Sequence, residues 1–101
     1  MEDRFIRVSG EDLVTNGGKI LLRGFGIGSW MNMEHFMTGL PGNDRQKRRV
    51  FAEIYGEERA CEFFEDYLSA FITEADFEFL KAMGVNALRL AFTYRHFEDD
   101  R

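Results

Sequence analysis

The spacing of apolar and polar positions changes along this chain, and the changes divide it into segments. Phe5-Ile6-Arg7-Val8 and Asp12-Leu13-Val14 are short apolar runs bounded by Ser9-Gly10 and Thr15-Asn16-Gly17-Gly18. Runs of this length between turn residues predict two strands. Asn16-Gly17 predicts a tight turn, because both residues tolerate positive φ. The stretch Lys19-Ile20-Leu21-Leu22-Arg23-Gly24-Phe25-Gly26-Ile27 is longer and mostly apolar, as expected of a strand covered on both faces. From Ser29 to Pro41 neither strand nor helix period holds. Gly39, Pro41 and Gly42 close it, so it reads as a long loop with room for one helical turn.

Helical spacing follows. A first helix is predicted from Asn43 or Asp44 to Gly56, with Val50, Phe51, Ile54 and Tyr55 on its inner face and a basic first turn that opposes the helix dipole. Ala60, Phe64, Tyr67, Leu68 and Phe71 repeat at the 3.6 period of a second helix, with Glu62, Glu65 and Asp66 turned outward. Thr73 reads as the N-cap of a third, with Asp76 completing a capping-box pattern and Ile72 and Phe77 placed as a hydrophobic staple. That helix runs to Met83, and Gly84 supplies the positive φ its end requires. Val85-Asn86-Ala87-Leu88-Arg89-Leu90-Ala91-Phe92 then reads as a buried strand. Strands near 19–28 and 85–92 separated by helices predict a right-handed parallel crossover, hence an α/β class.

Composition alters this picture in one respect. Apolar residues make up 45% of the chain, and eleven are Phe, so disorder is excluded. For so short a chain this richness points to surfaces that meet a partner or the remainder of a domain. The net charge of −5 disfavours nucleic acid and anionic membranes as partners. The basic run Arg45, Lys47, Arg48 and Arg49 reads as a solvated helix face. One cysteine, Cys61, excludes an intrachain disulfide and reads as a small buried hydrophobe. The opening Met1-Glu2-Asp3-Arg4 has no apolar run after it, so the sequence as it stands reads as cytoplasmic, with no membrane span.

Four residues are candidates for binding. Arg89 lies in a strand that otherwise reads as buried, where an unpaired cation costs several kcal/mol, so it is expected to reach a carboxylate or the wet end of the strand. An ion pair that holds the fold together and an Arg that orients a site carboxylate both satisfy this requirement. Glu34, four residues after Trp30, offers an acceptor for sugar hydroxyls beside an aromatic ring that can cover a C–H face; a solvated acid and a core indole are the plainer alternative. Tyr94 follows the second long strand. His35 and His96 are too few for a protein-supplied zinc site unless carboxylates join them, and no metal or cofactor is expected. Gly24-Phe25-Gly26-Ile27-Gly28-Ser29 lacks the third glycine, and the helix directly afterwards, of a dinucleotide-binding turn.

Two of these segments, Lys19 to Trp30 and Gly84 to Phe92, resemble the first and second barrel strands of glycoside hydrolase family 5, the cellulase and exo-β-glucanase family. That pattern is LRG-x-N-x-G-x-W followed later by G-x-N-x-VR-[IL]-P; Gly26 replaces its Asn and Ala91 its Pro. The resemblance covers most of residues 5–101. It implies the N-terminal part of a (β/α)8 barrel: residues 1–18 as a β-hairpin cap and 19–101 as the first strand, helices and second strand. It implies a retaining β-glycosidase acting on β-glucans or related β-glucosides. Arg89 matches the Arg that hydrogen-bonds the nucleophile, Glu34 an acid contacting the sugar, and Tyr94 the cleft-lining loop. Retaining hydrolysis needs two carboxyl groups about 5–5.5 Å apart. In the family these stand on later strands, the first commonly within Asn-Glu-Pro. No Asn-Glu occurs here and the one proline is Pro41, so both acids are expected beyond Arg101 and the segment alone is expected to be inactive. The rival reading is a non-enzymatic α/β interaction module with Arg89 in a structural ion pair.

Overall fold

A computed structural model describes residues 5–98; the charged opening Met1–Arg4 and residues 99–101 lie outside them. The chain is mixed α/β. Arg7–Ser9 (β1), Asp12–Thr15 (β2) and Gly18–Lys19 (β3) form an antiparallel meander in that order. Thr15 pairs with Gly18 across Asn16-Gly17, where the sequence predicts a turn, but the positive φ, +104°, falls on Gly18 and on neither Asn16 nor Gly17. Gly24–Met31 (β4) and Ala87–Phe92 (β5) form a separate parallel pair, Gly24 opposite Ala87 and Ile27 opposite Leu90. Between them lie His35–Thr38 (α1), Asp44–Tyr55 (α2), Glu57–Phe71 (α3) and Glu74–Ala82 (α4), and Tyr94–His96 closes β5 with a 3-10 turn.

Local chemistry accounts for the helix ends. Asn43 Oδ1 accepts from Gln46 N and Gln46 Oε1 from Asn43 N, both at 2.9 Å, a reciprocal cap that starts α2. Asp76 Oδ2 accepts from Thr73 N at 2.7 Å and Thr73 Oγ1 at 3.0 Å. Gly84 ends α4 at φ +86°, with Val85 N donating to Leu80 O at 3.1 Å. The two strands are tied before they pair. Asn86 Oδ1 accepts from Arg23 N at 2.7 Å, Asn86 Nδ2 donates to Leu21 O at 2.9 Å, and Asn86 N donates to Arg23 O at 2.9 Å. One side chain thus sets the register of β4 against β5.

Several expectations are corrected. The apolar run from Lys19 to Ile27 is not one strand: β3 ends at Lys19, and β4 begins at Gly24 after Asn86 has taken the intervening backbone. β4 continues through Ser29 and Trp30 to Met31, where a loop is expected, by way of a bulge. Neither strand is covered on both faces; half of β5 is exposed. On α2, Val50, Ile54 and Tyr55 are exposed and Phe51 only half-buried, whereas Asp44 and Lys47 are buried. The basic run is therefore no solvated face: Arg45 and Arg49 are exposed, Arg48 is half-buried, and Lys47 is inside. Cys61 is exposed, and so is Phe71 at the end of the predicted apolar stripe.

The packed centre is small. Met33, Ala60 and Phe64 are buried, with Phe51, Ala52 and Tyr67 against them. Phe51 stacks on Phe63 at 4.8 Å and meets Phe64 edge-on at 5.3 Å. The radius of gyration is 17.9 Å, against about 13 Å for a compact domain of this length. The accessible surface is 8461 Å², about 2,500 Å² more than a compact monomer of this mass shows. That excess is roughly three times one side of a standard protein interface. Among the described residues no helix is long and apolar enough to cross a membrane.

Candidate functional site

The parallel pair carries Arg89 midway along β5, opposite Gly26, and two loops at its C-terminal end. Both loops with candidate side chains leave the C-terminal ends of β4 and β5, the side on which ligands bind in parallel α/β sheets. Gly26 and Gly28 leave bare backbone on one face of β4, about 7 Å apart along the strand. A methyl group on Gly26 would meet Arg89 Nη1 at 4.0 Å; one on Gly28 would meet Glu34 Oε1 at 3.1 Å and Met37 Sδ at 3.0 Å. The guanidinium of Arg89 and the carboxylate of Glu34 therefore lie over neighbouring glycines of the same strand. Arg89 is exposed, and no ion pair within 4.0 Å joins it to Glu34 or, among the described residues, to any other carboxylate. A cation and an acid thus share one face with no ion pair between them.

The structure does not bring Trp30 to this face. Its indole points to the helices, with Nε1 donating to Leu68 O at 2.8 Å and the ring 6.1 Å from Phe77. The cause is Ser29, whose φ is +59°. Five residues of β4, Ile27 to Met31, span the length that three of β5 span, Leu90 to Phe92. This bulge breaks the alternation of faces. Tyr94 lies exposed in the turn after β5, which is fixed by Thr93 N donating to Met31 O at 3.3 Å and by His96 Nε2 against the same oxygen at 2.7 Å. His35 is exposed, edge-on to Phe36.

Glu34 is set by groups that sequence reasoning did not select. Its N–H donates to Ser29 Oγ at 3.0 Å, and its carbonyl accepts from Thr38 N at 3.0 Å and Thr38 Oγ1 at 2.9 Å. Ser29 is 1% exposed, and its carbonyl accepts from the Tyr67 hydroxyl. Burial raises the Tyr67 pKa above the ordinary phenol value; the negative charge of Asp44 adds to this, and Arg48 opposes it. Asp44, 3% exposed, accepts from Met33 N at 3.0 Å through Oδ1 and from Arg48 Nε at 2.8 Å through Oδ2. Lys47, 4% exposed, donates to Met33 O at 3.2 Å. Arg48 also lies 4.4 Å over the Phe64 ring. The signal for this cluster was the acid that opens α2, immediately before the basic run and four residues before Arg48. Among the described residues no group of three or more His, Cys, Asp or Glu is placed to hold a metal ion.

Comparison with known proteins bears on what such a face serves. The chain is 47% identical over 97 residues to a β-xylosidase of Phanerodontia chrysosporium, covering 95% of this chain and 20% of that protein. It is 30% identical over 87 residues to a glucan 1,3-β-glucosidase of Candida oleophila and 28% over 92 residues to one of Kluyveromyces lactis, in each case 76% of this chain and 20% of the relative. No family model matches the chain, and no solved structure matches it. The chain spans about a fifth of the length of these relatives, all of which are glycosidases by name.

Proposed function

We propose that this chain is the N-terminal part of a retaining β-glycosidase of the family 5 type, built as a (β/α)8 barrel and acting on β-xylosides or β-glucosides. On this reading β4 and β5 are the first two barrel strands. The meander β1–β3, joined to the N-terminal end of β4, closes the barrel floor opposite the site. The reading is supported above all by the similarity to glycosidases over nearly the whole chain, joined to the placement of Arg89 and Glu34 over Gly26 and Gly28.

The chemistry follows from those positions. Retaining hydrolysis uses one carboxyl group as acid/base and a second as nucleophile, about 5–5.5 Å apart, both supplied by later strands here. The Arg89 guanidinium, unpaired among the described residues, donates to the nucleophile and keeps it ionised, since a nearby cation favours the charged carboxylate. Glu34 accepts hydroxyl hydrogen bonds from the sugar in the same subsite. Tyr94 lines the cleft from the loop after β5. Trp30 serves from behind, anchoring α3 and α4 to the strand that carries the glycines.

The test is hydrolysis of aryl β-xylosides and aryl β-glucosides by the full-length polypeptide that carries this segment. Activity on at least one is expected, and Arg89→Ala is expected to lower kcat by about 100-fold or more, the scale of removing one electrostatic donor. The 101-residue segment alone is expected to be inert. Full-length protein inert on both substrates, or Arg89→Ala at wild-type kcat, would sink the proposal.

A further inference from the structure

Two buried charges have no task in the chemistry described so far. Asp44 and Lys47 stand one turn apart at the start of α2, nearly inaccessible, and make no contact with the glycine face among their hydrogen bonds. Burying a carboxylate or an ammonium costs several kcal/mol unless its bonds are made, and apolar side chains of similar volume pack a helix at least as stably. What these two charges share is a single residue. Asp44 takes the N–H of Met33 and Lys47 its carbonyl, at 3.0 and 3.2 Å. Both peptide groups flanking Met33 are therefore fixed, while its side chain is sealed against Ala60 and Phe64.

The next residue is Glu34. Its own N–H is taken by Ser29 Oγ, and Ser29 is held at positive φ with its carbonyl against the Tyr67 hydroxyl. Two of these holding groups, Asp44 and Lys47, come from α2 and one, Tyr67, from α3; all three act on the six residues between the bulge and the acid.

We propose that Asp44 and Lys47 are positioning residues, which clamp the Met33 backbone so that the Glu34 carboxylate is kept over Gly28 in the sugar-binding face. The inference rests on the assignment of Glu34 to that face. It accounts for charges buried where apolar packing would serve, and for their convergence on one residue rather than on each other.

The experiment is a double-mutant cycle in the full-length polypeptide, with hydrolysis of an aryl β-xyloside or β-glucoside as readout and native fluorescence confirming that each variant is folded. Lys47→Met keeps the apolar stem and deletes the donor; Asp44→Asn keeps an acceptor for Met33 N and deletes the charge. Lys47→Met is expected to lower kcat/KM by about 10- to 100-fold, the loss that a displacement near 1 Å produces, and Asp44→Asn by less. In a Glu34→Ala background the same changes are expected to have little further effect, because they act through the absent carboxylate. A purely structural role predicts equal losses in both backgrounds, and that result overturns the proposal, as does wild-type kcat/KM in both single variants. Should either variant fail to fold, Tyr67→Phe, which removes one hydroxyl from the Ser29 carbonyl, is read in the same way. If Glu34→Ala alone is fully active, the assignment of Glu34 fails, and this result is distinct from a failure of the clamp.

Discussion

Replacing two glycines of β4 by alanine separates strand pairing from the chemistry of the face. A Cβ on Gly24 would lie 1.8 Å from Ala87 O and 2.6 Å from Ala87 C. Both are backbone atoms of the paired strand, so no change of rotamer relieves the overlap. Carbon–oxygen contact begins at about 3.3 Å, so β4 and β5 must part locally by about 1.5 Å. That movement removes the bonds from Asn86 N and Ala87 N to Arg23 O, now 2.9 and 3.2 Å, and stretches the 2.7 Å bond from Arg23 N to Asn86 Oδ1. At about 1 kcal/mol for each bond, with unmade partners costing more, the loss is about 2–4 kcal/mol. Native proteins are stable by about 5–15 kcal/mol, and among the described residues three apolar side chains are buried, so a loss of this size is a large fraction of the total. Trp30, the single tryptophan, lies on the same strand and reports its docking to α3. Gly24→Ala is expected to cut the urea midpoint of Trp30 emission by half or more, or to abolish the native emission in buffer. Gly26→Ala, whose Cβ would meet only Arg89 Nη1 at 4.0 Å, is expected to stay within about 0.5 kcal/mol of wild type. Equal midpoints for Gly24→Ala and wild type, or equal losses at both glycines, would refute the argument that backbone contact at Ala87 holds the pair in register.

Asp44→Ala is expected to cost about 3–5 kcal/mol, because it strips a buried partner from Arg48 and Met33 N. Arg49→Ala, which breaks an equally short but exposed pair with Glu53, is expected to cost no more than about 0.5 kcal/mol; urea midpoints rank the two. Tyr67 holds its proton more tightly folded than unfolded, so its contribution to stability is complete below the ordinary phenol value and is lost as pH rises through the raised one. Alkaline titration should therefore shift Trp30 emission together with tyrosinate absorbance, and Tyr67→Phe should remove that component; an ordinary titration of Tyr67 would contradict it. The excess of exposed apolar surface predicts that the isolated segment binds an apolar reporter dye and self-associates with rising concentration, which a dye titration and size-exclusion chromatography check; a dye-silent monomer would count against it.

The parts of the fold legible in the sequence are those fixed by neighbours in the chain. The Asn16-Gly17 turn, the Asn43 cap, the Thr73–Asp76 pair and Gly84 each act within a few residues, and each lies where the pattern places it, although the positive φ of the first falls on Gly18. The break between β3 and β4 was not legible, because Leu21 and Leu22 look like strand while Asn86, some sixty residues on, takes the backbone of Leu21 and Arg23. Apolar spacing also misled on α2. Val50 and Ile54 satisfy a helical stripe, yet the surface they face carries no other element among the described residues, and the helix turns Asp44 and Lys47 inward instead.

The site divides along the same line. Arg89 stood out because a cation within an apolar strand demands a reason, and Glu34 because an acid follows a strand end. Trp30, four residues before Glu34, invited a pairing of ring and acid that the backbone prevents. A serine at positive φ costs about 1–3 kcal/mol, and nothing near Ser29 in sequence offsets it except the N–H of Glu34. The further compensation comes from Tyr67, thirty-eight residues away, whose hydroxyl meets the Ser29 carbonyl. The bulge so stabilised has two effects at once. It sends the indole outward to bond Leu68 and bind the helices to the sheet, and it leaves Gly26 and Gly28 bare beneath Arg89 and Glu34. In a regular strand, whose side chains alternate, Trp30 would have shared this face with Gly26 and Gly28.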